Sequence, residues 1–224
     1  MTRRHDRWKV ISMYAVFVIA STWLIYTLVR PADEIVLTIG EPYEQVRKRS
    51  SSTLPPAVTD GSWGGLVNRP AKLRFDDAQF GFVTPPAKFF SVMYDKYGNV
   101  SSLRLSPQIK TLPLDDAMAI LTDLQDQFER GGWCVAHFGG PTSRLDSPEV
   151  RDVLMAGRAP MTRWQAGDKY EVSLNIYRFG AETRPPKARF LITMSLSAVV
   201  FGEKENHGQP CYPGSHAPHP VAHP

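Results

Sequence analysis

One thiol and one imidazole lie close together in the segment GGWCVAHF, as Cys134 and His137. A cysteine and a histidine within hydrogen-bond reach can form a nucleophile and its base. The glycine pair before them, together with Val135 and Phe138, favours a strand, in which residues three apart point to opposite faces. We therefore expect a structural histidine, and an envelope enzyme that uses His137 is an alternative function.

Neighbouring carboxylates occur twice, at Asp76-Asp77 and at Asp115-Asp116. Adjacent side chains diverge by about 100° on a helix and about 180° on a strand, so neither pair converges as an acid and a base would. The second pair suits the start of a helix, where the dipole favours anions. The sequence contains no Walker, GxGxxG, GxSxG, HExxH or CxxC motif. We expect no cofactor and no enzymatic activity.

Residues 203–224 are rich in proline and histidine, a composition typical of a disordered tail. Its histidines could surround a soft divalent metal ion, although the prolines exclude the helix that would cluster them. These histidines are His207, His216, His219 and His223. Cys211 in the same tail could form a disulfide with Cys134 in an oxidising compartment. The alternative is that Cys134 is a small buried apolar residue.

Residues 10–29 carry no charge and no proline. An apolar helix of about 20 residues spans the roughly 30 Å hydrocarbon core of a bilayer, and no small-x-small cleavage site follows this segment. Arginines and a lysine precede it, so the positive-inside rule places residues 1–9 in the cytoplasm and the chain beyond residue 30 outside. The sequence therefore predicts an uncleaved transmembrane anchor.

The net charge of the protein reflects this topology. The formal net charge is +4, and residues 1–9 contribute four cations against one carboxylate, so the remainder of the chain is almost neutral. A nucleic-acid-binding domain would need a basic face of its own. We therefore expect no nucleic-acid partner.

A juxtamembrane segment, residues 30–70, follows the predicted anchor. Pro42 suits the first turn of a short helix, and Arg47, Lys48 and Arg49 suit its end, where the helix dipole favours cations. A Ser-, Pro- and Gly-rich stretch follows and predicts a loop that contains Trp63. The three basic residues and Trp63 are candidate contacts to the membrane or to a partner, and a solvated helix end is the alternative for the basic run.

Residues 71–202 are predicted to form an extracytoplasmic α+β domain. Four short strand candidates, AKLRF, QFGFV, KFFSVMYD and VSSLRLS, precede a long amphipathic helix within residues 111–132. A possible strand, WCVAHF, and a shorter helix, SPEVRDVLMAG, come next. Two long strands with period-2 alternation, within residues 169–179 and 189–201, close the domain. This order predicts an antiparallel sheet covered on one face by helices.

Two short segments resemble parts of the small envelope lipoproteins of the outer-membrane barrel-assembly type. The segment IGEPYEQV resembles their Gly-x-x-x-x-x-Val helix opening, and DKYGNVSSLRL resembles their strand-turn-strand. This chain lacks the lipid-bearing cysteine of those proteins and adds a long helix and a strand pair. No functional residue is carried over from the resemblance.

These features predict a single-pass bacterial inner-membrane protein with a periplasmic α+β domain. The expected partners are the lipid bilayer and another envelope protein, bound by a face or an edge of the sheet. A structural subunit of a membrane complex is an alternative, in which Ser21, Thr22 and Trp23 of the span contact another helix.

Overall fold

The fold is described from a computed structural model. The structure describes residues 16–19, 21–22, 32–54, 58, 61–136, 144–180 and 188–199. The chain divides into two compact units, Met1–Ala32 and Asp33–Pro224.

In the first unit, residues 16–19 and 21–22 are helical, and the Thr22 hydroxyl donates a hydrogen bond to the Val18 carbonyl at 2.8 Å. No helix within the described residues is long and apolar enough to cross a bilayer. The rest of the predicted span, residues 10–29, lies outside the described part of the chain. The transmembrane anchor therefore stays a prediction.

The second unit contains ten strands and three helices within its described residues. They are β1 (Asp33–Leu37), α1 (Tyr43–Arg49), β2 (Trp63–Leu66), β3 (Ala71–Phe75), β4 (Phe82–Val83), β5 (Phe90–Tyr94), β6 (Val100–Leu105), α2 (Leu114–Arg130), β7 (Cys134–Val135), α3 (Pro148–Met155), β8 (Met161–Ala166), β9 (Tyr170–Phe179) and β10 (Arg189–Ala198).

Seven strands form one antiparallel sheet in the order β2-β5-β6-β10-β9-β8-β7. Buried and exposed residues alternate along its strands, as in β10, where Phe190, Ile192, Met194 and Leu196 are buried and the residues between them are partly exposed. Such alternation marks a sheet with one face on the core. We call the opposite side the outer face; it carries the partly or fully exposed residues of the strands.

Three further strands form a smaller sheet, in which β3 pairs parallel to β1 and antiparallel to β4. The loop between β1 and α1 joins this sheet to the β5–β6 hairpin. Gly40 donates to the Val100 carbonyl at 2.8 Å, and the Val100 amide donates to the Glu41 carbonyl at 2.8 Å. Helix α1 and strand β1 are therefore part of the second unit.

The helices cover the core with their apolar faces. Helix α2 packs against β10 and β4, α3 packs against β9, and α1 packs against β1. The buried positions of α2 are Ala117, Met118, Leu121, Leu124, Gln125 and Phe128. Phe128 contacts Phe82 and Trp164, with ring centroids 4.9 and 5.5 Å apart, so the long helix links the two sheets through aromatic side chains.

The α+β class and the large antiparallel sheet that the sequence predicts are confirmed. The long helix, the short helix before β8, the β5–β6 hairpin and the final strand pair lie where the patterns place them. Three strands differ from the sequence analysis. β1 lies in the segment 30–70, for which the sequence predicts a helix and a loop, β2 lies in that predicted loop, and no pattern predicts β8. The second compact unit begins at Asp33, and the predicted domain bounds, 71–202, stay a prediction.

Candidate functional site

The candidate thiol lies at the edge of the sheet beside a segment that is not described. Cys134 begins β7, opposite Gln165 of β8, and is 8% exposed. Its Sγ lies 3.9 Å from the Gly132 carbonyl oxygen. His137 and Cys211 lie outside the described residues, so neither the Cys–His geometry nor the disulfide is tested.

The adjacent carboxylates at positions 76 and 77 bind different groups. Asp76 forms an ion pair with Arg49, whereas Asp77 accepts a hydrogen bond from the Tyr170 hydroxyl at 3.1 Å. Burial raises the pKa of Asp77, but hydrogen bonds from the Phe80 and Gln79 amides and from Tyr170 outweigh it and hold the pKa below its usual value. The two side chains therefore fix structure and do not converge on one reacting atom.

The other carboxylate pair lies at the start of α2. Asp115, at the start of α2, forms an ion pair with Arg151 of α3 at 2.8 Å. Within the described residues, no three His, Cys, Asp or Glu side chains lie where they could hold a metal ion together. The tail histidines lie outside the described residues, and their metal binding stays a prediction.

The basic run lies at the end of α1, as predicted, and two of its three charges are paired. Arg47 forms an ion pair with Glu44 at 2.9 Å, and Arg49 bridges Asp76 and Glu41, the latter at 2.5 Å. Lys48 is exposed and forms no ion pair with a described residue. Arg49 borders an open cleft of about 440 Å³ whose other lining residues are Thr38, Ile39, Glu41, Pro42, Gln45 and Asp76. The paired charges leave this cleft without a free anchoring group.

Trp63 lies in strand β2, and its side chain is 8% exposed. Its ring stacks on Tyr94 of β5 with centroids 4.3 Å apart and planes 16° apart, and Tyr43 of α1 contacts both rings edge-on. Aromatic pairs in these geometries add stability beyond the area that they bury. The indole that the sequence suggested as a surface contact therefore attaches β2 to the sheet.

The Tyr94 hydroxyl is buried and has no hydrogen-bond partner among the described residues. Burial, with Tyr43 and Glu41 nearby, raises its pKa above the usual value. A buried hydroxyl without a partner costs free energy. This cluster therefore supports β2 by ring packing and not by polar bonds.

Strand β2 is an edge strand, and its outward main-chain groups are unpaired within the described part of the chain. The Val67 amide donates to the Phe90 carbonyl at 3.0 Å, which fixes Trp63, Gly65 and Val67 as the residues whose main-chain groups face β5. In an antiparallel ladder the residues between them face away. No described residue pairs with the main-chain N–H and C=O groups of Gly64 and Leu66.

Beside this edge, the outer face carries exposed apolar side chains. Leu66 is 54% exposed and Met93 40% exposed, and Phe89, which directly precedes β5, is exposed as well. Met93 lies over Gly64, where its Sδ would be only 2.3 Å from an added Cβ. We call Gly64, Leu66, Phe89 and Met93 the β2 flank.

Both edge strands of the small sheet, β1 and β4, have their exposed edges closed by side chains. On β1, the Ser51 and Ser50 hydroxyls accept from the Glu34 and Val36 amides at 2.8 and 3.0 Å. On β4, the Gln127 amide group pairs with both main-chain groups of Val83, at 2.8 and 3.0 Å.

The part of β10 that extends beyond β6 is closed in the same way. The Gln108 side chain accepts from the Ile192 amide at 3.0 Å and donates to the Phe190 carbonyl at 3.1 Å. Unpaired edges invite pairing with another chain, and proteins commonly block them. The open edge of β2 contrasts with these closures.

Sequence reasoning missed the β2 flank, although one signal was present. In KFFSVMYD, the alternation that buries Val92 and Tyr94 places Met93 on the opposite face. Nothing in the sequence places Leu66 beside Met93, because their proximity depends on the pairing of β2 with β5.

No family model matches this chain, and no curated protein and no solved structure shows significant similarity to it.

Proposed function

We propose that the protein is a single-pass bacterial inner-membrane protein whose periplasmic domain binds another envelope protein through the β2 flank. The observation that carries the proposal is the open edge: Gly64 and Leu66 present main-chain groups that no described residue pairs, beside exposed apolar side chains. The N-terminus would be cytoplasmic, and the anchor would hold the binding domain near the bilayer.

The energetics of the edge support binding as its role. Exposed Leu66 and Met93 lie within diagonal cross-strand reach of each other, so they form an apolar patch, and exposed Phe89 lies two residues before Ser91, the residue opposite Leu66. Contiguous apolar patches on a folded domain mark interaction sites. A partner that covered this patch would also pair main-chain groups that the domain leaves to water.

The membrane anchor rests on the sequence. Residues 10–29 contain no charged residue, and Arg3, Arg4, Arg7 and Lys9 precede them. Such a segment is long enough for the hydrocarbon core, and its flanking charges favour a cytoplasmic N-terminus. A reporter active only in the periplasm, fused at the C-terminus, should be active, and activity of a cytosol-only reporter at that position would refute the topology.

Photocrosslinking in membranes tests the binding surface. A photoreactive amino acid at position 66 of the full-length chain should give a covalent product with an envelope protein. The matched control is position 161, because Met161 is 46% exposed on the same outer face but lies five strands away on β8. Equal product yields at both positions, or none at position 66, would refute the proposal.

A further inference from the structure

We infer that the partner contributes an extended segment that pairs with β2 as an additional strand, with apolar side chains at alternate positions and acidic residues at the end beside Arg69. The inference rests on the proposed function and specifies the partner of the same surface. It follows from three features of the edge: its hydrogen-bond groups, its side chains and its charges.

The hydrogen-bond groups determine that the ligand is a strand. The N–H and C=O groups of Gly64 and Leu66 face outward, two residues apart on a pleated chain, and the described residues leave them unpaired. An extended chain offers donors and acceptors at that same spacing, whereas a helix has used its own main-chain groups internally. A strand can therefore satisfy all four groups at once.

The side chains determine which partner residues must be apolar. Residues directly opposite each other in a sheet project from the same face. Partner residues opposite Gly64 and Leu66 would thus lie on the outer face, next to Met93 and Leu66. Because Gly64 has no side chain and Met93 extends over it, the partner residue at that point meets a thioether. Two apolar residues separated by one position complement this surface.

The charges determine the flanking chemistry. Leu66 of β2 lies opposite Ser91 of β5, and Ser91 lies opposite Arg104 of β6. The exposed Arg104 guanidinium is therefore on the outer face, two strands in from the β2 edge. The Val67 amide donates to the Phe90 carbonyl near this end of the β2–β5 ladder. Arg69 follows Val67 by two residues, Lys88 precedes Phe90 by two residues, and both are exposed. Arg104 and Lys88 form no ion pair with a described residue, whereas Arg69 pairs with Asp33 at 3.4 Å. Carboxylates at that end of the partner strand would complement these cations.

A second copy of this chain fits the surface less well. Its own β2 would supply Leu66 as the only outer-face side chain, because position 64 is glycine. It would also bring Arg69 and no acidic residue of β2 toward a surface that is already basic. Pairing of two β2 edges is therefore an outcome that would contradict the inference.

The test uses the full-length chain in native membranes, with the photoreactive residue at position 93. Leu66→Pro and Leu66→Ala form a matched pair, because both remove the side chain but only proline removes the outward N–H. Proline is tolerated at an edge where its nitrogen faces solvent.

The Leu66→Pro variant should lower the crosslinking yield about tenfold relative to the Leu66→Ala variant. The crosslinked peptide, sequenced by mass spectrometry, should show alternating apolar residues flanked by Asp or Glu.

A charge variant gives a second readout that does not depend on proline. Arg104→Glu should lower the yield by about three- to tenfold, and Met161→Glu, a charge added to the same face far from β2, should leave it unchanged. Protection of the Val67 amide from hydrogen exchange shows in each variant that β2 still pairs with β5.

The outcomes separate the two proposals. A product at position 93 with equal yields for Leu66→Pro and Leu66→Ala would overturn strand addition and leave the proposed function intact. A crosslinked peptide from another protein without alternating apolar residues would do the same, whereas a peptide from a second copy of this chain would overturn both proposals. No product at positions 66 and 93 would overturn both.

Discussion

Strands β1 and β2 are both edge strands, and they treat their exposed main-chain groups in opposite ways. β1 lies at the edge of the small sheet, and three consecutive serines that follow α1 cover its outer side. The amides of Ser51 and Ser52 also donate to the Glu34 carbonyl at 2.9 and 3.2 Å. β2 lies at the edge of the large sheet, where Gly64 and Leu66 have no such cover among the described residues.

The difference shows that closure of an edge requires suitable side chains close in space. Serines at the end of α1 reach β1 because the helix packs directly against that strand. β2 is held from its other side, by the stack of Trp63 on Tyr94 and by its ladder with β5. One strand is therefore fixed by side-chain hydrogen bonds on its free edge, and the other by ring packing that leaves the edge free.

Removal of the Trp63–Tyr94 stack should have the largest effect on the stability of the domain. Trp63→Ala should destabilise the domain by about 3–5 kcal/mol, because it removes a buried indole from between Tyr43 and Tyr94. Urea unfolding followed by circular dichroism measures the change, and Trp63→Phe should cost less because it keeps a ring. A loss below about 1 kcal/mol for the alanine variant would show that β2 is held by something other than this stack.

Removal of the serine hydroxyls that close the β1 edge should have a smaller effect on stability. Replacement of Ser50 and Ser51 by alanine removes two hydroxyl acceptors from the Val36 and Glu34 amides, and should cost about 1–2 kcal/mol. Faster hydrogen exchange should be confined to those amides. Ser101→Ala, at an exposed position of β6, serves as the control. Unchanged exchange at residues 34 and 36 would mean that the serines do not close β1.

Acid should increase hydrogen exchange more in β3 and β4, which flank Asp77, than in β2. Because the folded-state pKa of Asp77 is lowered, its carboxylate stabilises the fold above the unfolded pKa of about 3.9 and loses that effect as pH falls through the folded value. Below about pH 4, exchange should therefore accelerate in β3 and β4 before it does at the β5-facing amides of β2. Asp77→Asn should reduce this difference. Equal acceleration of exchange in β2 and in β3 and β4 would contradict a stabilising role of the Asp77 carboxylate.

A charge on the open edge should have the smallest effect on stability. Leu66→Lys replaces an exposed side chain, so the free energy of unfolding should change by no more than about 0.5 kcal/mol. Its crosslinking from position 93 should nevertheless fall sharply, because a lysine blocks strand pairing at an edge. Met161→Lys is the control and should change neither quantity. Destabilisation by Leu66→Lys beyond about 1 kcal/mol would indicate that the edge is covered.

The elements predicted from sequence are those whose patterns are long enough to be specific. The stripe of α2 runs along a helix of 17 residues, and β9 and β10 are strands of 10 residues with an alternating central part. Strand β2 is four residues with two central glycines inside a Ser-, Pro- and Gly-rich stretch, so its local preference favours a loop. Only the contact between Trp63 and Tyr94, which are far apart in sequence, makes it a strand.

The candidate site was harder to predict for the same reason. Lys48 and its neighbours were identified correctly as the end of a helix, but Arg47 and Arg49 proved to be paired with carboxylates. Leu66 and Met93 carry no motif, and they become neighbours only through the β2–β5 register. An interaction edge of this kind depends on pairing between distant strands, which composition and periodicity do not specify.

Hydrogen exchange of four amides in the full-length protein tests the account most directly. In the protein without a partner, the amides of Gly64 and Leu66 should exchange at nearly the rate of an unstructured chain, while those of Glu34 and Val36 should be strongly protected. Binding of the crosslinked partner should protect residues 64 and 66 and leave residues 34 and 36 unchanged. Protection of Gly64 and Leu66 before any partner is added would contradict an open edge.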